Sequence, residues 1–224
     1  MYIITFLIII AVLIYIIKTK HLSFNLQSFK YKRAVYVDDA FGVYLITGKQ
    51  GTNKTYYGVQ LIHNQNPKRV NYIKTNIHSL KIPGFNIQYF TKINEIYQDT
   101  DKNCIYIIDE ISRKYKKTSV CDDQFYAWLN QCRKRNRIAI LITQEYKELP
   151  MWLRRPAKYM LNSYSLPLLT RFFSIYALNV GDGYNLQYDK DEGEYNCPNI
   201  KTIIYKRNRY IGSMYDTFEP INML

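Results

Sequence analysis

The sequence predicts an α/β fold in which helices flank a mostly parallel β-sheet, with a transmembrane helix at the N-terminus. Apolar runs at 42–47, 104–108 and 138–143 have no polar face, as expected for strands that are covered on both sides. Segments with helical spacing of apolar residues alternate with these runs, which indicates a parallel sheet between two layers of helices. Residues 1–17 carry no charged side chain.

The N-terminal run, MYIITFLIIIAVLIYII, has the length and composition of a short transmembrane helix. At about 1.5 Å per residue it nearly matches a hydrocarbon core of about 30 Å. A signal peptide would begin with basic residues and end in small ones, and a core helix would show a polar stripe; the run has none of these. The basic residues that follow predict a cytoplasmic location for the rest of the chain, and they are Lys18, Lys20, Lys30, Lys32 and Arg33.

A polar, basic tether is expected at 18–40, an α/β domain at 41–219 and a tail at 220–224. The elements expected within the domain follow from apolar periodicity and turn signals. They are strands at 42–47, 70–75, 86–90, 104–108, 138–143 and 159–164, helices at 55–64 and 122–133, and antiparallel additions at 171–178 and 200–205.

The charge of the chain predicts an anionic partner. The formal net charge is +13 and the pI is about 9.4, which suits binding to nucleic acid, to a phosphorylated ligand or to an acidic membrane. The four cysteines and three histidines are widely spaced and form no CxxC pair. This spacing argues against a zinc site, and the chain length argues against a disulfide framework.

The strand at 42–47 leads into a phosphate-binding pattern and then into a helix. The pattern matches the Walker A motif G-x-x-x-x-G-K-[ST], except that an asparagine replaces the second glycine. Backbone N–H groups of such a loop surround the phosphates of ATP, with the lysine on the β- and γ-phosphates and the threonine on Mg²⁺. Asparagine tolerates a positive φ, so the loop can keep its shape. The predicted nucleotide-binding residues are Gly48, Lys49, Gln50, Gly51, Thr52, Asn53, Lys54 and Thr55.

Two further strand ends complete the predicted site. The run at 105–108 ends in Asp109 and Glu110, which is the Walker B pattern. Asp109 is expected to hold Mg²⁺, and Glu110 to act as the general base for the attacking water. Gln144 ends the next apolar strand, which we expect between the two Walker strands, where its side chain can hydrogen-bond the γ-phosphate.

These motifs resemble the zonular occludens toxin-like family, which includes assembly ATPases of filamentous phages and lies near the FtsK–HerA DNA-pumping ATPases. The resemblance covers 43–219 and rests on VYLITGKQGTNKT, IYIIDE, the block RKRNRIAILITQEYKELPMWLRR and the closing YDTFE. Two departures stand out. Asn53 replaces the usual glycine, and the apolar segment precedes the ATPase domain, whereas in the filamentous-phage proteins it follows.

The resemblance implies a RecA-like P-loop NTPase that is anchored in the inner membrane of the host by residues 1–17. Such a protein forms a homo-oligomeric ring, for example a hexamer, and hydrolyses ATP to power translocation, packaging or extrusion of phage or plasmid DNA. DNA stimulation of the ATPase and contacts with other phage assembly proteins are part of this expectation. An arginine is expected to act on the neighbouring subunit's γ-phosphate, the candidates being Arg137, Arg154 and Arg155; a solvated or DNA-facing basic patch is the alternative for each.

Two other functions fit parts of the sequence. A small-molecule kinase agrees with the phosphate loop alone, although Glu110 directly after Asp109 favours attack by water. A membrane-bound interaction protein that binds nucleotide without turnover agrees with the replacement at Asn53.

Overall fold

The computed structural model describes residues 41–189 and 194–216, the backbone of a strand at 22–24, and the helical residues Ala11, Ile14 and Tyr15. A nine-stranded sheet crosses the domain in the order β1-β11-β8-β7-β2-β6-β5-β3-β4. Its strands are β1 Leu22–Phe24, β2 Gly42–Thr47, β3 Ile73–Thr75, β4 Ile87–Tyr89, β5 Ile105–Ile108, β6 Ile138–Ile142, β7 Ala157–Ser165, β8 Ile175–Asp182 and β11 Asn199–Lys206.

Six of these strands run parallel to one another, in the order β7, β2, β6, β5, β3 and β4. Strand β8 is antiparallel to β7, β11 is antiparallel to β8, and β1 is parallel to β11. The mostly parallel sheet that the sequence predicts is therefore confirmed. All strands of the parallel part end on one side, here called the carboxyl edge, and begin on the other, the amino edge.

Five α-helices connect or flank these strands within the described residues. They are α1 Lys54–His63, α2 Asp123–Gln131, α3 Met151–Arg154, α4 Pro167–Phe173 and α5 Arg209–Gly212. Helix α1 packs on one face of the sheet with Tyr44 and Ile46, and α2 packs on the other with Val43 and Leu45. Because successive side chains of a strand point to opposite faces, every residue of β2, β5 and β6 is buried.

The segment between β7 and β11 differs from the prediction. Residues 171–173, expected at the start of a strand, end helix α4 instead, and β8 begins at Ile175. Pro167 at the first turn favours a helix, and Ser174 ends it in the left-handed conformation with φ 54. The polar stretch after β8 contains an antiparallel hairpin, β9 Gln187–Asp189 with β10 Glu194–Asn196.

The N-terminal predictions fall mainly on residues outside those described. Most of the predicted spanning helix at 1–17 lies there, as do the end of the domain at 217–219 and the tail at 220–224. None of the helices formed by the described residues has both the length and the apolar character needed to cross a membrane. Within the predicted tether, residues 22–24 form strand β1.

Candidate nucleotide-binding site

The phosphate loop lies at the carboxyl edge of the sheet, between the end of β2 and the start of α1. Gly48 has φ 146 and Gly51 has φ 78, conformations that glycine adopts without strain. The Gly48 N–H donates to the carbonyl oxygen of Gln144 at 3.1 Å. A Cβ atom at Gly48 would overlap the carbonyl oxygen of Ser163, so the backbones of β2 and β7 approach too closely here for any other residue.

Three side-chain hydrogen bonds hold the phosphate loop, two from residues 52 and 54 and one from strand β7. The Thr52 hydroxyl donates to the Lys49 carbonyl oxygen at 2.7 Å, and the Lys54 ammonium donates to the same oxygen at 3.1 Å. From behind, the Ser163 hydroxyl donates to the Thr52 carbonyl oxygen. These contacts hold the loop in a fixed shape before any ligand binds.

Asn53 occupies the left-handed region, with φ 65 and ψ 32, as the sequence predicts for this position. Its side chain makes no capping hydrogen bond to α1, and its amide nitrogen is buried without a hydrogen-bond partner among the described residues. A buried donor without an acceptor costs about 1–3 kcal/mol. The replacement of glycine therefore keeps the shape of the loop but lowers its stability.

The two Walker segments meet in a direct hydrogen bond. The Thr55 hydroxyl donates to Asp109 Oδ2 at 2.7 Å. Burial raises the pKa of Asp109 above its usual range, against the opposing effect of the Thr55 hydrogen bond and the Lys54 charge. Burial also lowers the pKa of Lys54, which the nearby Asp109 and Glu110 counteract. Lys54 and Asp109 are therefore partly removed from water, so an anion would interact strongly with Lys54 and a cation with Asp109.

Mg²⁺ fits the donors at this site. Among the described residues no cluster of three or more His, Cys, Asp or Glu side chains could hold a metal ion. Thr55 and Asp109 supply two adjacent oxygen atoms. Mg²⁺ in phosphate-binding proteins takes few protein oxygens and completes its shell with phosphate oxygens and water, so this pair is sufficient.

Glu110 follows in a left-handed conformation, with φ 54 and ψ 44, and its side chain is 28% exposed. Its N–H donates to Asp109 Oδ1 at 2.8 Å. The carboxylate forms an ion pair with Arg113, three residues further along. Glu110 is thus beside the Thr55–Asp109 contact, but in this structure its carboxylate is engaged by an arginine.

Strand β6 pairs with both β2 and β5, which places Gln144 between the two Walker segments, as predicted. Its carbonyl oxygen receives the Gly48 N–H, and its side chain is exposed. The backbone contact places Gln144 next to the start of the phosphate loop. The role of its side chain as a sensor stays a prediction.

Two of the three candidate arginines, Arg137 and Arg155, lie just before strands β6 and β7, near the amino edge. Arg137 precedes β6 and is fully buried: its guanidinium donates to the carbonyl oxygens of Asp99 and Asp101 and lies over Trp128, 5.7 Å from the ring centroid. This location corrects the expectation that Arg137 acts on a neighbouring subunit, because the side chain would have to leave its pocket.

Arg154 and Arg155 precede β7. Arg154 is 4% exposed and lies over the ring of Tyr146, with its guanidinium carbon 4.5 Å from the ring centroid, whereas Arg155 is exposed. Of the three candidates, Arg155 alone is exposed at the surface of the domain.

Three residues of the site were not predicted. Asn76 clamps Asp109 through two hydrogen bonds of 2.9 Å, one to its N–H and one to its carbonyl oxygen. Its place directly after strand β3, at the same edge, is a signal that could have identified it. Ser163 lies in a strand that mixes polar and apolar residues, and Arg113 lies in a run of cationic residues. Neither residue stands out from its neighbours in the sequence.

We predict that Gly48→Ala and Gly51→Ala differ sharply in their effect on nucleotide binding. An added methyl group at Gly51 meets no atom within 4 Å and brings only backbone strain, on the order of 1 kcal/mol, whereas at Gly48 it collides with the backbone of β7. Titration with a fluorescent ATP analogue should show less than about tenfold weaker binding for Gly51→Ala and no measurable binding for Gly48→Ala. Equal losses would contradict the described packing of the loop.

We predict that Asn53→Gly leaves nucleotide affinity level or tightens it. Glycine adopts the φ of 65 without strain and removes the unpaired amide. Affinity and turnover should both be measured. A large rise in turnover would identify Asn53 as a block in a protein that binds nucleotide silently, and a marked loss would mean that the amide contacts nucleotide or a neighbouring subunit.

Comparison with known proteins supports the fold. No family model matches the chain, and no curated protein matches it. Among solved structures, the N-terminal domain of zonular occludens toxin from Neisseria meningitidis is similar at 20% identity and a TM-score of 0.57, covering 79% of this chain and 100% of that domain. The genome packaging NTPase B204 from Sulfolobus turreted icosahedral virus 2, solved with AMPPCP, gives 13% identity, 77% and 100% coverage and a TM-score of 0.47.

The flagellar accessory protein FlaH from Methanocaldococcus jannaschii gives 14% identity, 74% and 84% coverage and a TM-score of 0.47. This protein and the packaging NTPase are too distant from the chain to support the fold assignment. The similarity to the zonular occludens toxin domain confirms the fold that the sequence motifs imply: a mixed α/β P-loop domain built like the N-terminal domain of that toxin.

Proposed function

We propose that the chain is a P-loop ATPase of the zonular occludens toxin-like kind, which powers DNA translocation, packaging or extrusion during phage or plasmid assembly. The observation that supports this most directly is the contact between Thr55 and Asp109, with Glu110 beside it. This contact supports the proposal because it joins residues that we propose to bind phosphate and Mg²⁺, next to the residue that we propose as the general base.

ATP binding uses groups that are already in position. The N–H groups of the loop and the start of α1 face the phosphates, and Lys54 exchanges its hydrogen bond to the Lys49 carbonyl for the β- and γ-phosphate oxygens. Thr55 and Asp109 would hold Mg²⁺, which would neutralise part of the phosphate charge. Burial lowers the pKa of Lys54, and a phosphate beside the ammonium group would favour its charged form.

Hydrolysis then requires Glu110 to accept a proton from the attacking water. We propose that Gln144, which follows the strand between the two Walker segments, hydrogen-bonds the γ-phosphate; the pairing of that strand with β2 and β5 supports this role. Arg155 is the candidate that stabilises the transition-state charge in a neighbouring subunit. Because it lies at the amino edge, this role requires a head-to-tail contact in which the amino edge of one subunit meets the carboxyl edge of the next.

Helix α4 supports self-association. It contains no buried residue, and its large apolar side chains are exposed: Leu168 by 72%, Phe172 by 68%, Phe173 by 57% and Leu169 by 42%. Such a patch on a domain surface is typical of an interaction site. We propose that a second copy of the chain covers it, since α4 follows β7 at the carboxyl edge, where the nucleotide binds.

The apolar run at 1–17 supports a membrane anchor. Its length and its lack of charge suit a spanning helix, and the cations that follow it favour a cytoplasmic domain. We propose that these residues anchor the protein in the host inner membrane, with the domain in the cytoplasm.

We predict that Lys54→Ala and Glu110→Gln separate ATP binding from ATP hydrolysis. Lys54→Ala should lose nucleotide affinity, because the phosphates lose their cation. Glu110→Gln should bind ATP normally but hydrolyse it about 10²–10⁴ times more slowly, since an amide cannot accept the proton. Affinity and single-turnover rates of both variants test this. A Glu110→Gln variant that turns over at the parent rate would reject the proposed hydrolytic site.

We predict that Leu168→Ser with Phe172→Ser reduces the size of the assembly in detergent, measured by light scattering after gel filtration. The double change removes much of the apolar contact of α4 while leaving α1 and β5 untouched. Tyr184→Ser, which alters an exposed aromatic residue outside α4, is the matched control and should leave the size unchanged. An unchanged size for the α4 variant would mean that this helix does not join subunits.

A further inference from the structure

A basic segment, residues 111–121, joins β5 to α2 and starts directly after the proposed general base. Four of its side chains are cationic and exposed, and they are Arg113, Lys114, Lys116 and Lys117. No acidic residue interrupts the segment before Asp122. A run of charge is most often a solvated surface, so the structure around it decides whether it has a more specific role.

The backbone of the basic segment is fixed to the domain at two points. Tyr115, only 4% exposed, stacks on Phe125 with ring centroids 5.5 Å apart and donates its hydroxyl to Asp122 Oδ2 at 2.6 Å. Further on, Trp152 donates its indole N–H to the Ser119 carbonyl oxygen at 3.3 Å. The cationic side chains therefore project from a fixed backbone, which is how a preformed anion-binding surface differs from a flexible charged loop.

The first cation of the segment is bound to Glu110. The Arg113 guanidinium pairs with Glu110 Oε2, and the two side chains are 52% and 28% exposed. The left-handed backbone at Glu110 and the hydrogen bond from its N–H to Asp109 hold the residue at the site. While the ion pair persists, an oxygen that would accept the proton of the attacking water is occupied by Arg113.

We propose that residues 113–117 bind the phosphate backbone of nucleic acid and that Arg113 is a positioning residue that couples this binding to Glu110. Without nucleic acid, Arg113 holds the Glu110 carboxylate; phosphates draw Arg113 away and leave Glu110 free to face the water. This inference rests on the proposed ATPase function. An exposed ion pair is a weak interaction, so a dense line of phosphates can displace it.

The position of the segment favours nucleic acid over an anionic membrane. It begins at the carboxyl edge of β5, next to the nucleotide site, and β2 with its phosphate loop lies between β5 and β1 in the sheet order. Six strand spacings separate β1 from β5, which corresponds to about 29 Å. The segment is therefore far to the side of the strand that follows the predicted anchor, and a polymer that passes over the carboxyl edge is the partner that reaches both the segment and the nucleotide site.

The test measures ATP hydrolysis by the full chain in detergent, with and without a 30-nucleotide DNA strand, the corresponding duplex, or vesicles rich in phosphatidylserine. DNA should stimulate the parent. Arg113→Ala should raise the DNA-free kcat about two- to fivefold, the range expected from loss of an exposed ion pair, and should respond little to DNA. Arg113→Lys keeps the charge and should restore the low DNA-free rate.

Two further variants separate the surface from the coupling. Replacing Lys114, Lys116 and Lys117 together by alanine should abolish stimulation and reduce the salt dependence of DNA binding, measured by fluorescence anisotropy, by a slope of about 2–3. Lys134→Ala removes one exposed charge from the amino edge and should change neither the DNA-free rate nor the stimulation.

Each contrary result has a distinct meaning. A parent that hydrolyses ATP while Arg113→Ala shows an equal or lower DNA-free kcat overturns the coupling and leaves the proposed ATPase in place. Stimulation by vesicles and not by DNA overturns the choice of partner. A parent that hydrolyses no ATP under any of these conditions rejects the proposed function itself, and the coupling with it.

Discussion

The hydrogen bond between Thr55 and Asp109 is the contact on which the rest of the site depends. The two residues follow β2 and β5, which are separated by β6 and hence by about 10 Å. The phosphate loop must therefore cross the end of β6 to bring α1 to Asp109. This crossing explains the bond from the Gly48 N–H to the Gln144 carbonyl, whereas glycine is required at this position because the Ser163 carbonyl of β7 approaches from the other side of β2. Strand β6 is wholly apolar because neighbouring strands and helices enclose it on both sides and both faces.

The antiparallel part of the sheet supports the same loop from behind. Ser163 donates to the Thr52 carbonyl and shares a 3.3 Å hydrogen bond with the hydroxyl of Tyr205 on β11. Tyr56, in the first turn of α1, stacks on Tyr205 and accepts a hydrogen bond from the Asn208 N–H at 2.8 Å. The loop is thus held between β7 and the end of β11. The additional strands are part of the nucleotide site through these contacts, although none of their residues belongs to a nucleotide-binding motif.

Sequence reasoning succeeded where one physical cause decided the outcome and failed where two causes competed. Strands β2, β5 and β6 are predictable because only a doubly covered strand tolerates an unbroken apolar run, and the positive φ of Asn53 follows from the shape of the loop. Residues 171–173 were predicted as strand, since a short apolar stretch suits a strand or a helix equally, and Pro167 favours the helix. Ser163 acts through tertiary contacts, so its neighbours in the sequence carry little information about it.

Arg137 shows why a dense basic turn cannot be interpreted from charge alone. Arg133 and Lys134 of the same turn are exposed, but Arg137 is enclosed, with the carbonyl oxygens of Asp99 and Asp101 as acceptors. A buried guanidinium is retained only where such acceptors and aromatic faces compensate its lost hydration. These bonds fix the loop that leads into β5, the strand that ends before Asp109 at the opposite edge. Arg137 therefore stabilises the fold of its own chain at the amino edge, and the exposed Arg133 and Lys134 of the same turn do not share its buried contacts.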